Sequence, residues 1–183
     1  MKKTTSRRLF LKRSAIATTG IALLSTGIAR AFDSESPYHG YNNYSEEKTD
    51  LRTTLFEKNV RVEGILYEKS SMMPLANATI EVWHLSPNST KYRHRGKLKT
   101  NELGAYNFIT DYPNREVGKA PRIYFKVAHK GSSVFTDLVL NETGAHISGT
   151  HWIANQHLGD KLFPTSEKIL NTSIINFNLS IYW

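Results

Sequence analysis

The chain has 183 residues, 24 Lys or Arg against 16 Asp or Glu, and no cysteine. That length fits one domain with a substantial core, and the missing cysteines exclude a disulfide scaffold or a thiolate metal site. The formal charge of +8 does not point to nucleic acid: seven bases and no acid lie in residues 1–31, and the remainder carries 17 bases against 16 acids.

Those first 31 residues read as a signal peptide. Ser6-Arg7-Arg8-Leu9-Phe10-Leu11-Lys12 is a twin-arginine motif, residues 15–28 are apolar, and Ala29-Arg30-Ala31 is an A-x-A cleavage site. The apolar segment is short, contains Thr and Ser and ends in small residues, which favours cleavage over anchoring. The expected destination is the periplasm or exterior of a bacterium, with no membrane span left after cleavage. Signals of this type resemble those of proteins exported already folded, often with a cofactor in place.

Residues 32–58 are polar and aromatic, with Tyr38, His39, Tyr41 and Tyr44 among Gly, Asn, Ser and Glu, and read as an irregular arm. From residue 59 to 183 short alternating runs recur at 60–67, 78–85, 97–100, 105–110, 122–128, 134–140 and 174–182. Turn formers such as Ser86-Pro87-Asn88-Ser89 and Lys130-Gly131-Ser132 separate them. The expected class is all-β, a sandwich of about seven to nine short strands.

Within Pro121-Arg122-Ile123-Tyr124-Phe125-Lys126-Val127-Ala128, Ile123, Phe125 and Val127 are expected to face the core, and Arg122, Tyr124 and Lys126 the opposite side. Residues 144–172 form a long connection holding His146, His151, Trp152 and His157, with a helical turn expected near 166–170. The three histidines match no metal-ligand spacing. Trp183 is expected to anchor the last strand.

Several segments come in a characteristic order: Ile80-Glu81-Val82-Trp83-His84, Lys91-Tyr92-Arg93-His94, residues 98–108, Tyr112-Pro113 and residues 121–127. This series resembles the intradiol ring-cleavage dioxygenases, which open catechol rings with a ferric ion held by two tyrosines and two histidines. The resemblance covers about residues 60–140 and implies that sandwich core. A hard Fe(III) ion suits phenolate oxygen and imidazole. Residue by residue, Tyr92 and Tyr112 match the tyrosine ligands. The family's His-x-His falls on Arg122-Ile123-Tyr124.

An arginine stays protonated and offers no lone pair. Beside a site of net charge +1, a guanidinium about 5 Å away costs roughly 3 kcal/mol at an effective dielectric near 20. Lys119 stands where the family places a substrate-side arginine, and Asp137 where it places a glutamine, so the two catalytic positions are altered. Arg122 and Asp137 are expected to pair across neighbouring strands.

These residues leave three readings open. In the first, the ferric site is eroded and the protein is a non-catalytic binder of a small aromatic or a partner protein, with no cofactor. In the second, Fe(III) is retained by a rearranged set of Tyr92, His94, Tyr112 and Tyr124, and the chain is an active dioxygenase acting on an aromatic diol and O2. In the third, it is a structural or adhesion-like surface module. His84, on one face with Ile80 and Val82, is expected to be a satisfied core histidine.

Overall fold

The alternation around Ile123, Phe125 and Val127 becomes a strand in the computed structural model, which describes residues 36–183. The signal peptide expected over 1–31 lies outside the described residues. In chain order the strands are β1 Asn59–Glu68, β2 Thr79–His84, β3 His94–Lys99, β4 Ala105–Asp111, β5 Arg122–His129, β6 Ser132–Asn141 and β7 Gly144–Ile147. Helix α1, Gly149–Asn155, and a 3-10 segment, Gln156–Leu162, lead to β8 Thr165–Ile169, β9 Thr172–Asn176 and β10 Leu179–Ile181.

Two five-stranded sheets make a sandwich. One has the order β3-β2-β5-β6-β7; in the other, β1 pairs with β4 on one edge and with β9 and β10 on the other, and β8 lies beyond β9. Strand β1 runs parallel to β9 over residues 59–63 and to β10 over 66–68. Between those stretches sits Gly64, where a Cβ would overlap the backbone carbonyl of Phe177. Only a residue without a side chain lets the two backbones approach there.

Ile80, Val82, Ile123, Phe125, Val127 and Leu138 from one sheet meet Val60, Val62, Phe108 and Ile175 from the other, all essentially removed from water. Phe125 lies at the centre, with ring centroids 6.0 Å from Phe108 and 5.3 Å from Phe177. Each such buried ring contributes about 1.5–3 kcal/mol of transfer free energy.

Four details differ from the sequence reading. Among the described residues there are ten strands rather than seven to nine, because the connection over 144–172 contains two of its own and the run over 174–182 breaks at Phe177-Asn178 into β9 and β10. The helical turn expected near 166–170 is instead β8, whose five residues are all exposed on the sheet edge and which pairs only with β9. Helix lies earlier, capped by Ser148, whose hydroxyl accepts from the His151 N–H. Trp183 stays 55 % exposed and packs over the β5–β6 turn, with Lys130 Nζ 3.6 Å from its ring centre, rather than inside the sandwich.

The arm before β1 contains no named strand, yet it is tied to both sheets. Glu47 bridges to Lys97 of β3 and Asp50 to Ile109 of β4. Directly after Asp50, Leu51 enters the core at 4 % exposure.

Candidate functional site

The outer face of β5 is not a solvent face. Tyr124 points away from the core, as strand alternation requires, and still is only 2 % exposed. Its neighbour on β2, Trp83, is equally hidden, and the two rings stack with centroids 5.6 Å apart. The arm provides the cover. Tyr38 lies 4.7 Å from the Tyr124 ring, Tyr41 lies 5.1 Å from Trp83, and the Trp83 indole N–H donates to the His39 carbonyl at 3.0 Å. Gly40, at φ +76°, runs so close over Tyr92 that a Cβ would overlap its ring.

Under this cover a carboxylate joins two phenols. The loop between β4 and β5 turns Glu116 inward, where its Oε1 accepts from the Tyr92 hydroxyl at 2.7 Å and from the Tyr124 hydroxyl. Its Oε2 accepts from Lys119 Nζ at 2.6 Å. Burial pushes the Glu116 carboxyl up, but the hydrogen bonds from Lys119, Tyr124 and Tyr92 outweigh it and hold the group at about 2. Burial first, and then the adjacent carboxylate, push both tyrosines well above the ordinary phenol range. The cluster therefore holds both tyrosines as protonated donors around one anion.

A second carboxylate organises the rest of the face. Asp137 of β6, directly across from Tyr124, is 1 % exposed. It accepts from Arg122 Nη1 at 2.8 Å, from the Ser148 hydroxyl at 2.5 Å and from the Tyr38 hydroxyl at 3.2 Å. The pairing expected between Arg122 and Asp137 is present, and it also ties down the arm and the start of α1. Replacing Arg122 by Met leaves a buried carboxylate short of its cationic partner and is expected to cost about 2–3 kcal/mol. Urea unfolding checks this, and a loss below about 0.5 kcal/mol would show that the guanidinium is dispensable.

The other proposed iron ligands lie elsewhere. The set of Tyr92, His94, Tyr112 and Tyr124 is not assembled, because His94 belongs to a buried network beneath the arm. Its Nε2 donates to Asp111 at 2.8 Å, and its Nδ1 pairs with the Ser86 hydroxyl at 2.9 Å. Its ring stacks 4.8 Å from His84. His84 is the satisfied core histidine expected, donating from Nδ1 to the Leu85 carbonyl and accepting at Nε2 from Thr110. Tyr112 turns away to donate to the Asn141 carbonyl at 3.1 Å. Lys119, expected at a substrate-side position, is engaged by Glu116.

His146 and His157 are exposed while His151 is fully buried. Among the described residues no three His, Asp or Glu side chains are placed to share a metal ion.

No protein-family model matches the sequence, and no curated protein matches it significantly. Solved structures do match. The dioxygenase domain of a dioxygenase and carbohydrate-binding protein fusion from Streptomyces sp. SirexAA-E superposes with a TM-score of 0.60 at 16% identity, over 82% of this chain and 96% of that one. An intradiol ring-cleavage dioxygenase from Tetranychus urticae gives 0.61 at 15% identity, over 81% and 91%. A 3-chlorocatechol 1,2-dioxygenase from Rhodococcus opacus gives 0.56 at 17%, over 80% and 70%. The chain has the intradiol dioxygenase fold.

On that dioxygenase fold the residues present do not fit a ferric ion bound by two tyrosines and two histidines. Of the four matching positions, Arg122 is spent on Asp137 and Tyr112 on Asn141. Tyr92 and Tyr124 do converge, but on Glu116. Sequence reasoning missed Glu116, although it is the sole acid between Asp111 and Asp137, three residues before a lysine. It expected the arm but missed its docking, for Tyr38 and Tyr41 lie more than 80 residues from β5.

Proposed function

We propose that the chain is an exported, non-catalytic binding protein built on the dioxygenase sandwich, with a protein plug where the ferric site would be. One observation carries the reading: the Glu116 carboxylate accepts from both Tyr92 and Tyr124. The Arg122–Asp137 pair and the cover of Tyr38 over Tyr124 support it. A small aromatic does not have that face to itself, because an aromatic ring of the chain already lies on it. Export is inferred from the Arg7-Arg8 motif and the apolar segment behind it.

The same cluster favours one competing reading. Tyr92, Tyr124 and Glu116 bring three hard oxygen donors to one point, a set that suits Fe(III) if both phenols lose their protons. Metal analysis and the visible spectrum of the protein, exported through its own leader and purified without chelator, separate the two. We expect iron well below stoichiometric and no visible band. Near-stoichiometric iron with a broad phenolate-to-iron absorption would overturn the binding-protein reading and make catechols the first substrates to assay.

A further inference from the structure

Beside the turned-away Tyr112 the structure opens a cavity of about 390 Å³ between the ends of the two sheets. That volume lies within the ~300–1,000 Å³ typical of small-molecule sites. Three bases from three separate elements line it: Lys58 just before β1, Arg115 in the β4–β5 loop and Lys168 in β8. Glu142 is the one acid among the lining residues, which leaves a formal charge of +2. None of the three bases forms an ion pair with a carboxylate among the described residues. Tyr112, Ala120 and Pro121 contribute apolar wall.

Like charges brought to one concave surface repel one another, and the concavity focuses their field. A mobile counterion can offset that repulsion, but an anion seated in the cavity does so with added contacts. Adjacent residues of one loop divide the work: Glu116 turns to Tyr92 and Tyr124, while Arg115 lines the cavity. We infer that this cavity is a binding site for a small organic dianion with an apolar body, whose charge matches the +2 lining and whose body meets Tyr112, Ala120 and Pro121. The inference deepens the binding-protein reading without depending on the plugged face, since no residue of the Tyr92–Glu116–Tyr124 cluster lines the cavity.

Isothermal titration calorimetry of the full chain with phenyl phosphate, near pH 8 where the monoester is a dianion, tests it. Benzyl alcohol and inorganic phosphate are the neutral and body-free controls. Phenyl phosphate is expected to bind, benzyl alcohol to give no heat, and inorganic phosphate to bind more weakly. Lys58→Gln, Arg115→Gln and Lys168→Gln are each expected to weaken phenyl phosphate about tenfold, while Lys99→Gln, exposed on β3 and outside the cavity, leaves it unchanged.

Absence of binding by the unmodified chain, or binding indifferent to all three lining substitutions, would overturn the site. Equal affinity for inorganic phosphate would overturn the role of the apolar wall. Iron content measured on the same sample reports separately on the plugged face, so failure of one reading is not mistaken for failure of the other.

Discussion

Asp111→Ala is expected to lower the unfolding free energy by about 3–5 kcal/mol, since three donors lose their acceptor at roughly 1–3 kcal/mol each. For a domain of this size that moves the thermal midpoint by roughly 10 °C or more. The Asp111 side chain has no exposure. Its Oδ2 accepts from the Thr53 N–H at 2.8 Å, from the Thr53 hydroxyl at 2.6 Å and from His94 Nε2 at 2.8 Å. Removing it strands three donors at the point where the arm joins β3 and β4. Asp50 offers the control. It pairs with Arg52 at 2.6 Å but is 54 % exposed, so Asp50→Ala is expected to cost at most about 1 kcal/mol. Comparable losses for the two substitutions would show that the arm is not pinned through Asp111.

Acid should unfold the protein before most of its carboxylates titrate. Burial holds His84 at about 3, against a partial pull upward from the Leu85 carbonyl, and burial alone holds His151 at about 4. Both rings are neutral in the folded state, whereas in the unfolded chain they take up a proton near the ordinary value of 6.5. Their stabilisation is therefore complete above about pH 6.5 and is lost as pH falls from there toward 3 or 4. Each contributes up to ~1.4 kcal/mol per pH unit across that window.

Glu116 acts in the same direction lower down. Its folded value of about 2 lies below its ordinary 4.5, so its contribution is present above 4.5 and fades toward 2. Asp111 is also held down: burial raises it, and the hydrogen bonds from Thr53 and His94 reverse that. Urea unfolding between about pH 7.5 and 4 should show a fall of several kcal/mol, and His151→Gln should flatten part of it. Stability independent of pH down to about 4.5 would mean that the two imidazoles are not buried and neutral.

Local periodicity was enough to place much of the scaffold. The two-residue alternation around Ile123, Phe125 and Val127 reports directly which side chains leave water, and the structure buries all three completely. Arg122 and Asp137 were legible as a pair because they stand on consecutive strands, where a hairpin brings neighbours together. Helix α1 was not legible. Its buried residues are His151 and Asn155, two polar side chains at i, i+4, so the segment shows no apolar stripe. Strand β8 was not legible either, since all five of its residues are exposed and none alternates.

By itself, then, the sequence determined the strands that bury one face, the turns between them and the substitution of Arg122 and Tyr124 at the two matching histidine positions. The strands and turns follow from local chemistry, side-chain period and turn preference, whereas the two positions are what the resemblance to the dioxygenases implies, and a guanidinium there has no lone pair to donate. Only the tertiary structure decided how the candidate site is arranged. Glu116 is placed between Tyr92 and Tyr124 by the path of a loop, Tyr38 and Gly40 are laid over them by an arm distant in sequence, and Tyr112 is turned toward Asn141 by the same loop. No periodic pattern encodes such contacts, because each depends on which surfaces remain to be covered once the two sheets have packed.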